Sequence, residues 1–406
     1  MYTNCARHRS LILRLCQPAA KAVRTFAFAL ASMLVTTQSL PAQTFTVLYS
    51  FKGVPDAANP MAGLVMDGSG NLYGTTSAGG ASNNGTVFKL NITGEAVLYS
   101  FCARSNCADG ASPVAGLHRD KAGILYGTTS GGGTSGQGLV FKLNAHDKET
   151  VLHTFAGNLK DGAFPVAGVI SDTASNLYGS TSSGGIYGDG IVFKLTKTGK
   201  ETVLYDFTGG VDGGNPQYGS LLRDAAGNLY GTTSTGGSFS CGGSDGCGTV
   251  FKFGKGNETV FLNFNGGDGA TPYAGLIQDT VGNLYGTTLL GGASGAGVAF
   301  KLDPSGKETM LHTFTGGSDG ALPYAGLVRD TTGNLYGTTY AGGASGWGVV
   351  FKLDPSGTET VLYSFTGGAD GGSPYGDLII DATGNLYGTT SVGGASNFGV
   401  VFKVTP

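Results

Sequence analysis

The chain has 406 residues, of which 74 are glycine and 13 proline; 40% are hydrophobic, 13% are charged, and the formal net charge is −3. So low a charge density provides no basic stripe to neutralise phosphates, and nucleic acid is not an expected partner. The glycine content approaches that of low-complexity chains, but the strict internal period set out below argues against disorder.

Residues 1–42 differ from the rest. They hold Arg7, Arg9, Arg14, Lys21 and Arg24 and no acid, followed by an apolar run over Phe26–Val35 and then Leu40-Pro41-Ala42. This pattern predicts a secretory signal peptide with a long basic start. The run is too short for a transmembrane helix, and the residues before Cys16 lack the small side chains of a lipoprotein box. Without this segment 19 bases face 27 acids, a formal charge of −8. The expected mature chain, residues 43–406, is a single domain with no membrane span.

That domain opens on Thr46-Val47-Leu48-Tyr49-Ser50-Phe51, a β-like run. One phrase then recurs: LYGTT begins at Leu72, Leu125, Leu229, Leu284, Leu335 and Leu386, and LYGST at Leu177, with starts 51 to 55 residues apart. Each phrase sits in a longer sentence of four β-like runs, called a, b, c and d. In the first repeat they are Ala62–Met66, Leu72–Thr76, Thr86–Leu90 and Ala96–Phe101. They are rich in Val, Leu, Phe, Tyr and Thr and separated by Gly, Asn, Asp and Ser, with no sustained helical period. Four strands in about 50 residues is the size of a propeller blade. The chain starts on a d strand and ends on a c strand, Val400–Val404. The N-terminal run should therefore complete the last blade and remove an open edge. The predicted fold is an all-β, seven-bladed β-propeller of four-stranded blades.

Glycines Gly63, Gly116, Gly168, Gly275 and Gly326 fall in strand a, nearest the axis, where a missing side chain permits close approach. Gly74 and its counterparts in LYGTT are expected to serve close approach between blades. No Gly-Lys-Ser/Thr ending or following helix supports a phosphate loop. After the leader, four cysteines remain in two local pairs, Cys102 with Cys107 and Cys241 with Cys247. In an exported chain such pairs predict disulfides rather than a zinc site. Of the histidines, His153 and His312 replace the tyrosine of strand d and read as blade residues, His118 lies on strand a, and His146 lies in a c–d turn. No catalytic triad is visible. The aspartates Asp67, Asp120, Asp172, Asp224, Asp279, Asp330 and Asp381 recur at the a–b turn and read as turn formers. The lysines of VFKL and the glutamates opening strand d (Glu95, Glu149, Glu201, Glu258, Glu308, Glu359) flank the c–d hairpin, where cross-strand ion pairs are expected.

A second acidic series precedes glycine in the d–a loops: Asp109, Asp161, Asp212, Asp268, Asp319 and Asp370, with Asp56 ahead of the first blade. A ring of carboxylates at one rim of the channel could collect Ca²⁺; the competing reading is the ordinary Asp-Gly turn, which is favoured, and no cofactor is expected. The d–a and b–c loops should emerge on one face, which carries both cysteine pairs and therefore the varied loops that form binding surfaces in repeat folds. Tyr273, Tyr324, Tyr375, Trp347 and Phe398 collect there, with Tyr218 extending the set. These rings could stack on a sugar or anchor a protein; the competing reading packs the tyrosines between blades. Asp377, in Pro374-Tyr375-Gly376-Asp377-Leu378, breaks the Ala-Gly pattern of other blades.

The repeat AGL-x-x-D-x-x-GNLYGTT-x-x-GG…G-x-VFKL…G-x-ETVLYSF resembles the GloVer tandem repeat of bacterial choice-of-anchor surface proteins over residues 44–406. That resemblance implies an exported repeat protein and brings no catalytic residues. Because the chain stops at Thr405-Pro406 after a c strand, secretion rather than anchoring is expected. GNLYG is also similar to the strand phrase of NHL-type propellers and propeller lyases, though the metal-binding residues of such lyases are not apparent.

The expected protein is thus a monomeric, exported module, extracellular or at the cell surface with the periplasm as an alternative, that binds a glycan or protein through the d–a/b–c face without catalysis. Its rivals are a metal-assisted lyase or hydrolase with its site at the channel mouth, and a structural envelope component.

Overall fold

The computed structural model describes residues 43–241 and 245–406; the expected leader lies outside them. Seven four-stranded antiparallel sheets follow one another, each in the order a-b-c-d. Blade 1 uses Val65–Met66, Leu72–Thr76, Thr86–Asn91 and Gly94–Ser100. Blades 2 to 6 repeat this plan, with LYGTT or LYGST as strand b each time. Blade 7 takes Ile379–Ile380, Leu386–Thr390 and Val400–Thr405 from the C-terminal end and Thr44–Ser50 from the N-terminal end, with Thr44 opposite Thr405 and Ser50 opposite Val400. The expected closure is therefore present, and the closing strand starts two residues earlier than the sequence suggested.

Phenylalanine supplies the glue between blades. The Phe that follows strand d meets the Phe of strand c in the next blade edge to face, as in Phe101–Phe141 at 5.0 Å and Phe207–Phe251 at 5.1 Å. Seven such pairs run round the ring, Phe51–Phe88 and Phe365–Phe402 spanning the closure. All these rings are fully buried, where each contributes about 1.5–3 kcal/mol.

Two expectations need correction. Strand a, expected over five residues, joins the ladder with only two of them, Val65–Met66 in blade 1. Nearer the axis the chain is held by side chains instead: Thr75 Oγ1 donates to the Ala115 carbonyl of the next blade (2.8 Å), and Thr389 donates to Ala62 (3.0 Å). The glycine of LYGTT serves its own blade rather than the contact between blades. A Cβ on Gly74 would sit 2.7 Å from the Phe88 ring and 2.9 Å from Leu64, both of blade 1.

The d–a and b–c loops pair with one another, as in Ala57 with Gly79, Ala270 with Leu290 and Gly372 with Val392, so they do share one face. Both disulfides, Cys102–Cys107 and Cys241–Cys247, form within them. No helix among the described residues is long and apolar enough to cross a membrane.

Candidate functional site in the central channel

The residue before the leucine (Val169 in blade 3) that leads into strand a is Gly63, Gly116, Gly168, Ser220, Gly275, Gly326 and Asp377 in turn, and Gly63, Gly116, Ser220 and Asp377 line the central cavity. At Gly63, Gly168 and Gly275 glycine is dictated by crowding. A Cβ on Gly168 would lie 2.8 Å from the Gly116 carbonyl oxygen, and one on Gly275 2.9 Å from that of Ser220. Blades 4 and 7 depart from the pattern. Their Ala-Gly is replaced by Gly219-Ser220 and Gly376-Asp377, so the glycine moves one position earlier. A Cβ on Gly376 would lie 2.2 Å from the Ala62 backbone, which is why alanine cannot stand there. The change leaves a mark on the preceding blades: Ser180 and Thr338, the residues that would bond to those missing alanines, keep buried hydroxyls with no partner.

Among the described residues Asp377 is the one carboxylate lining the cavity, which measures 640 Å³ and runs along the axis. Its Oδ1 accepts the Gly326 N–H at 2.6 Å. The carboxyl is open to water in the lumen but enclosed by protein, and this burial raises its pKa against the pull of the Gly326 bond.

One end of the cavity is tyrosine. Tyr218, Tyr324 and Tyr375 line it. Tyr324 stacks on Tyr375 with centroids 4.2 Å apart, and Tyr218 meets Tyr375 edge-on at 5.4 Å. Tyr273 and Tyr340 flank Tyr324 at 5.5 and 5.2 Å. The tyrosines therefore pack on one another at the mouth. Burial, then the Tyr218 and Tyr324 hydroxyls, push the Tyr375 pKa far up, so it stays a neutral donor. In blades 1 to 3 the matching residues are Met61, Val114 and Val166, so the mouth has an aromatic half and an aliphatic half. Trp347 and Phe398 stand apart: each covers a d–a loop glycine, Gly367 and Gly53, and neither touches the tyrosine rings. At the far end of the cavity lie His118, Gln278 and Arg329. The His118 Nε2 is 2.8 Å from Ser171 Oγ, and burial lowers its pKa.

The d–a aspartates lie elsewhere. None of Asp56, Asp109, Asp161, Asp212, Asp268, Asp319 and Asp370 lines the cavity. Each closes its own loop: Asp109 accepts the Tyr99 hydroxyl (2.8 Å) and the Ala103 N–H (2.9 Å), and Asp370 accepts the Tyr363 hydroxyl (2.9 Å) and the Thr366 N–H (2.8 Å). Asp212 and Asp319 are held by Thr208 and Thr315, and Asp268 by Asn265.

All of these aspartates but Asp370 face the glutamate that opens strand d of the next blade, a meeting that sequence reasoning missed. Burial, followed by the facing Asp56, holds Glu95 up at about 8; burial and the facing aspartate hold Glu201, Glu258, Glu308 and Glu359 at about 7. Each keeps a buried Oε1 without a partner. The recurring spacing, 40 residues from Asp161 to Glu201 and again from Asp319 to Glu359, was the available signal. The expected lysine–glutamate pairs do not form among the described residues. Lys89, Lys194, Lys252, Lys301 and Lys403 lie instead over the strand b tyrosine of their own blade, 5.4 to 5.8 Å from its centre.

The Gloeobacter/Verrucomicrobia repeat family matches residues 34–243 and 237–406, and the chain belongs to that family. Among solved structures, virginiamycin B lyase from Staphylococcus aureus shares the fold with a TM-score of 0.58 at 12% identity, covering 90% of this chain and 99% of that one. The extracellular domain described as part of the one component system BT4673 from B. thetaiotaomicron matches with a TM-score of 0.53 at 13% identity, over 87% of this chain and 40% of that one. At such identities the likeness is one of fold. No curated protein matches the sequence.

Proposed function

We propose that this member of the Gloeobacter/Verrucomicrobia repeat family is an exported binding module that takes the end of a carbohydrate chain into the tyrosine-lined mouth of its channel. The observation that carries the reading is the gathering of Tyr218, Tyr324 and Tyr375 at one end of a 640 Å³ cavity with Asp377 deeper inside it. Sugar rings present apolar C–H faces that stack on aromatic rings and hydroxyls that need hydrogen-bond partners. The tyrosines offer both, and Asp377 offers an acceptor facing the lumen. The disulfides are compatible with export.

Screening the protein on a glycan array, with Tyr324→Ala alongside, tests this. Binding that falls at least severalfold in the variant supports the reading. Capture of no glycan, or of one that Tyr324→Ala binds equally, contradicts it. A channel-mouth lyase or hydrolase is the second reading, favoured by the raised pKa of Asp377, which suits a proton donor. Glycan cleavage that disappears in Asp377→Asn would select it.

A further inference from the structure

Among the described residues one group of side chains gathers as a metal would require: His153, Asp161 and Glu201, with a ligand atom from each within 4.8 Å of the others. It lies away from the channel, where blade 2 meets blade 3. His153 comes from strand d of blade 2 (Glu149–Thr154), Asp161 from the loop that follows, and Glu201 from the start of strand d of blade 3 (Glu201–Asp206). His153 Nε2 is 3.3 Å from Asp161 Oδ1 and 3.8 Å from Glu201 Oε2. We propose that these three side chains bind a divalent cation of the zinc class and clamp blade 2 to blade 3.

The distances suit the ion. Zinc bonds of about 2.0–2.2 Å to nitrogen and oxygen place tetrahedral neighbours about 3.3–3.6 Å apart. The two separations from His153, 3.3 and 3.8 Å, lie within a few tenths of an ångström of that range, and the ligand atoms are all within 4.8 Å of one another. The side chains keep 17%, 12% and 13% of their surface exposed, which leaves room for a water as fourth ligand. One imidazole with two carboxylates favours a borderline ion over calcium, which takes six or more oxygens. Glu201 Oε1 is buried with no hydrogen-bond partner and stands ready to share the ion.

Comparison with the other seams shows what makes this one different. At four of them a tyrosine hydroxyl, of Tyr49, Tyr99, Tyr205 or Tyr363, stands where His153 stands and donates to the aspartate. The seam of His312 and Asp319 has the same residue types, but there Thr315 supplies both its N–H and its hydroxyl to Asp319. The matching residue before Asp161 is Ala156, which has only an N–H to give, and Asp161 Oδ1 accepts the Gly162 N–H and turns to His153.

The repeat itself supplies a variant that should fold. His153→Tyr installs the residue that four other seams already hold, and Glu201→Gln keeps the shape while weakening a ligand. Cobalt(II) and zinc are titrated into the full-length protein and both variants, after chelation, reading visible cobalt absorption and the melting temperature. The expected result is about one more ion per chain in the unchanged protein than in His153→Tyr, with tetrahedral cobalt absorption and a zinc-dependent rise in melting temperature that chelator reverses. Glu201→Gln should weaken the affinity at least tenfold. Equal uptake by His153→Tyr, or no uptake by the unchanged protein, overturns the proposal and leaves an imidazolium–carboxylate ion pair at the seam.

Discussion

The two ends of strand a obey different rules. At the a–b turn all seven blades build one loop. An aspartate accepts the N–H four residues on, as Asp67 does from Asn71 and Asp381 from Asn385, and its other oxygen takes the tyrosine hydroxyl of LYGTT, as from Tyr73 and Tyr387. At the channel mouth the blades divide: three present Met61, Val114 and Val166, and four present Tyr218, Tyr273, Tyr324 and Tyr375, with Ser220 and Asp377 breaking a row of five glycines. A contact repeated in every blade holds the ring together. A small ligand on the axis cannot meet seven equal partners, so its contacts must come from positions where the repeat is broken.

The ring itself is the most sensitive element. Removing residues 43–52 takes strand d from blade 7 and with it Phe45 and Phe51, which pack on Tyr363 and Phe88. Several buried side chains at about 1.5–3 kcal/mol each match the whole stability of a typical domain. The truncated protein should lose its cooperative melt, and an unchanged thermal transition would show that closure contributes little.

A single turn should cost less and leave binding alone. Asp381→Ala removes bonds from Thr383, Asn385 and Tyr387. Denaturant unfolding should show a loss of about 1–3 kcal/mol. Glycan affinity should not change; if it falls, the a–b face takes part in binding and the contrast drawn above fails.

Acid and base should act on different regions. Burial opposes ionisation of Asp67 and Asp330, but bonds from Asn71 and Asn334 outweigh it and lower both to about 2. Their contribution is present above the unfolded value of 3.8 and lost as pH falls through 2. The seam glutamates are raised, to about 8 for Glu95 and about 7 for Glu201, Glu258, Glu308 and Glu359. Their contribution is full below the unfolded value of 4.5 and lost as pH rises from there towards 8. In chelator, melting temperature should therefore peak near pH 4 to 5. A flat profile between pH 5 and 8 would mean the seam carboxyls are better solvated than their burial indicates.

The smallest effects separate the aromatic residues. Trp347 lies over Gly367 and away from the tyrosines, so Trp347→Ala should leave glycan affinity unchanged. Tyr375→Ala should weaken binding by about 0.5–1.5 kcal/mol beyond its buried area, read by calorimetry. The reverse order would move the site from the mouth to the outer loops.

Blade count, strand order and closure were legible because LYGTT, VFKL and ETVLYSF alternate at a fixed period and the ends are a d and a c strand. The extent of strand a was not. Ala62, Gly63 and Leu64 carry strand-like residues, yet the ladder runs out towards the crowded axis and a threonine of the neighbouring blade takes over. Asp377 was visible as a break in the pattern, but its isolation in the channel was not. The meeting of Asp161, His153 and Glu201 was hidden for a related reason: it arises from two adjacent blades, and no local pattern encodes the packing between them.

The most direct test is Asp377→Gly, which restores the residue found at five of the seven axial positions. Calorimetric titration of the array-identified glycan into this variant, beside a melting curve at pH 7, separates binding from folding. Affinity should fall at least tenfold while the melting temperature holds or rises, because a carboxyl whose ionisation the surrounding channel wall opposes has been removed. Unchanged affinity in a folded Asp377→Gly protein would contradict the claim that the broken symmetry of the channel is where this protein works.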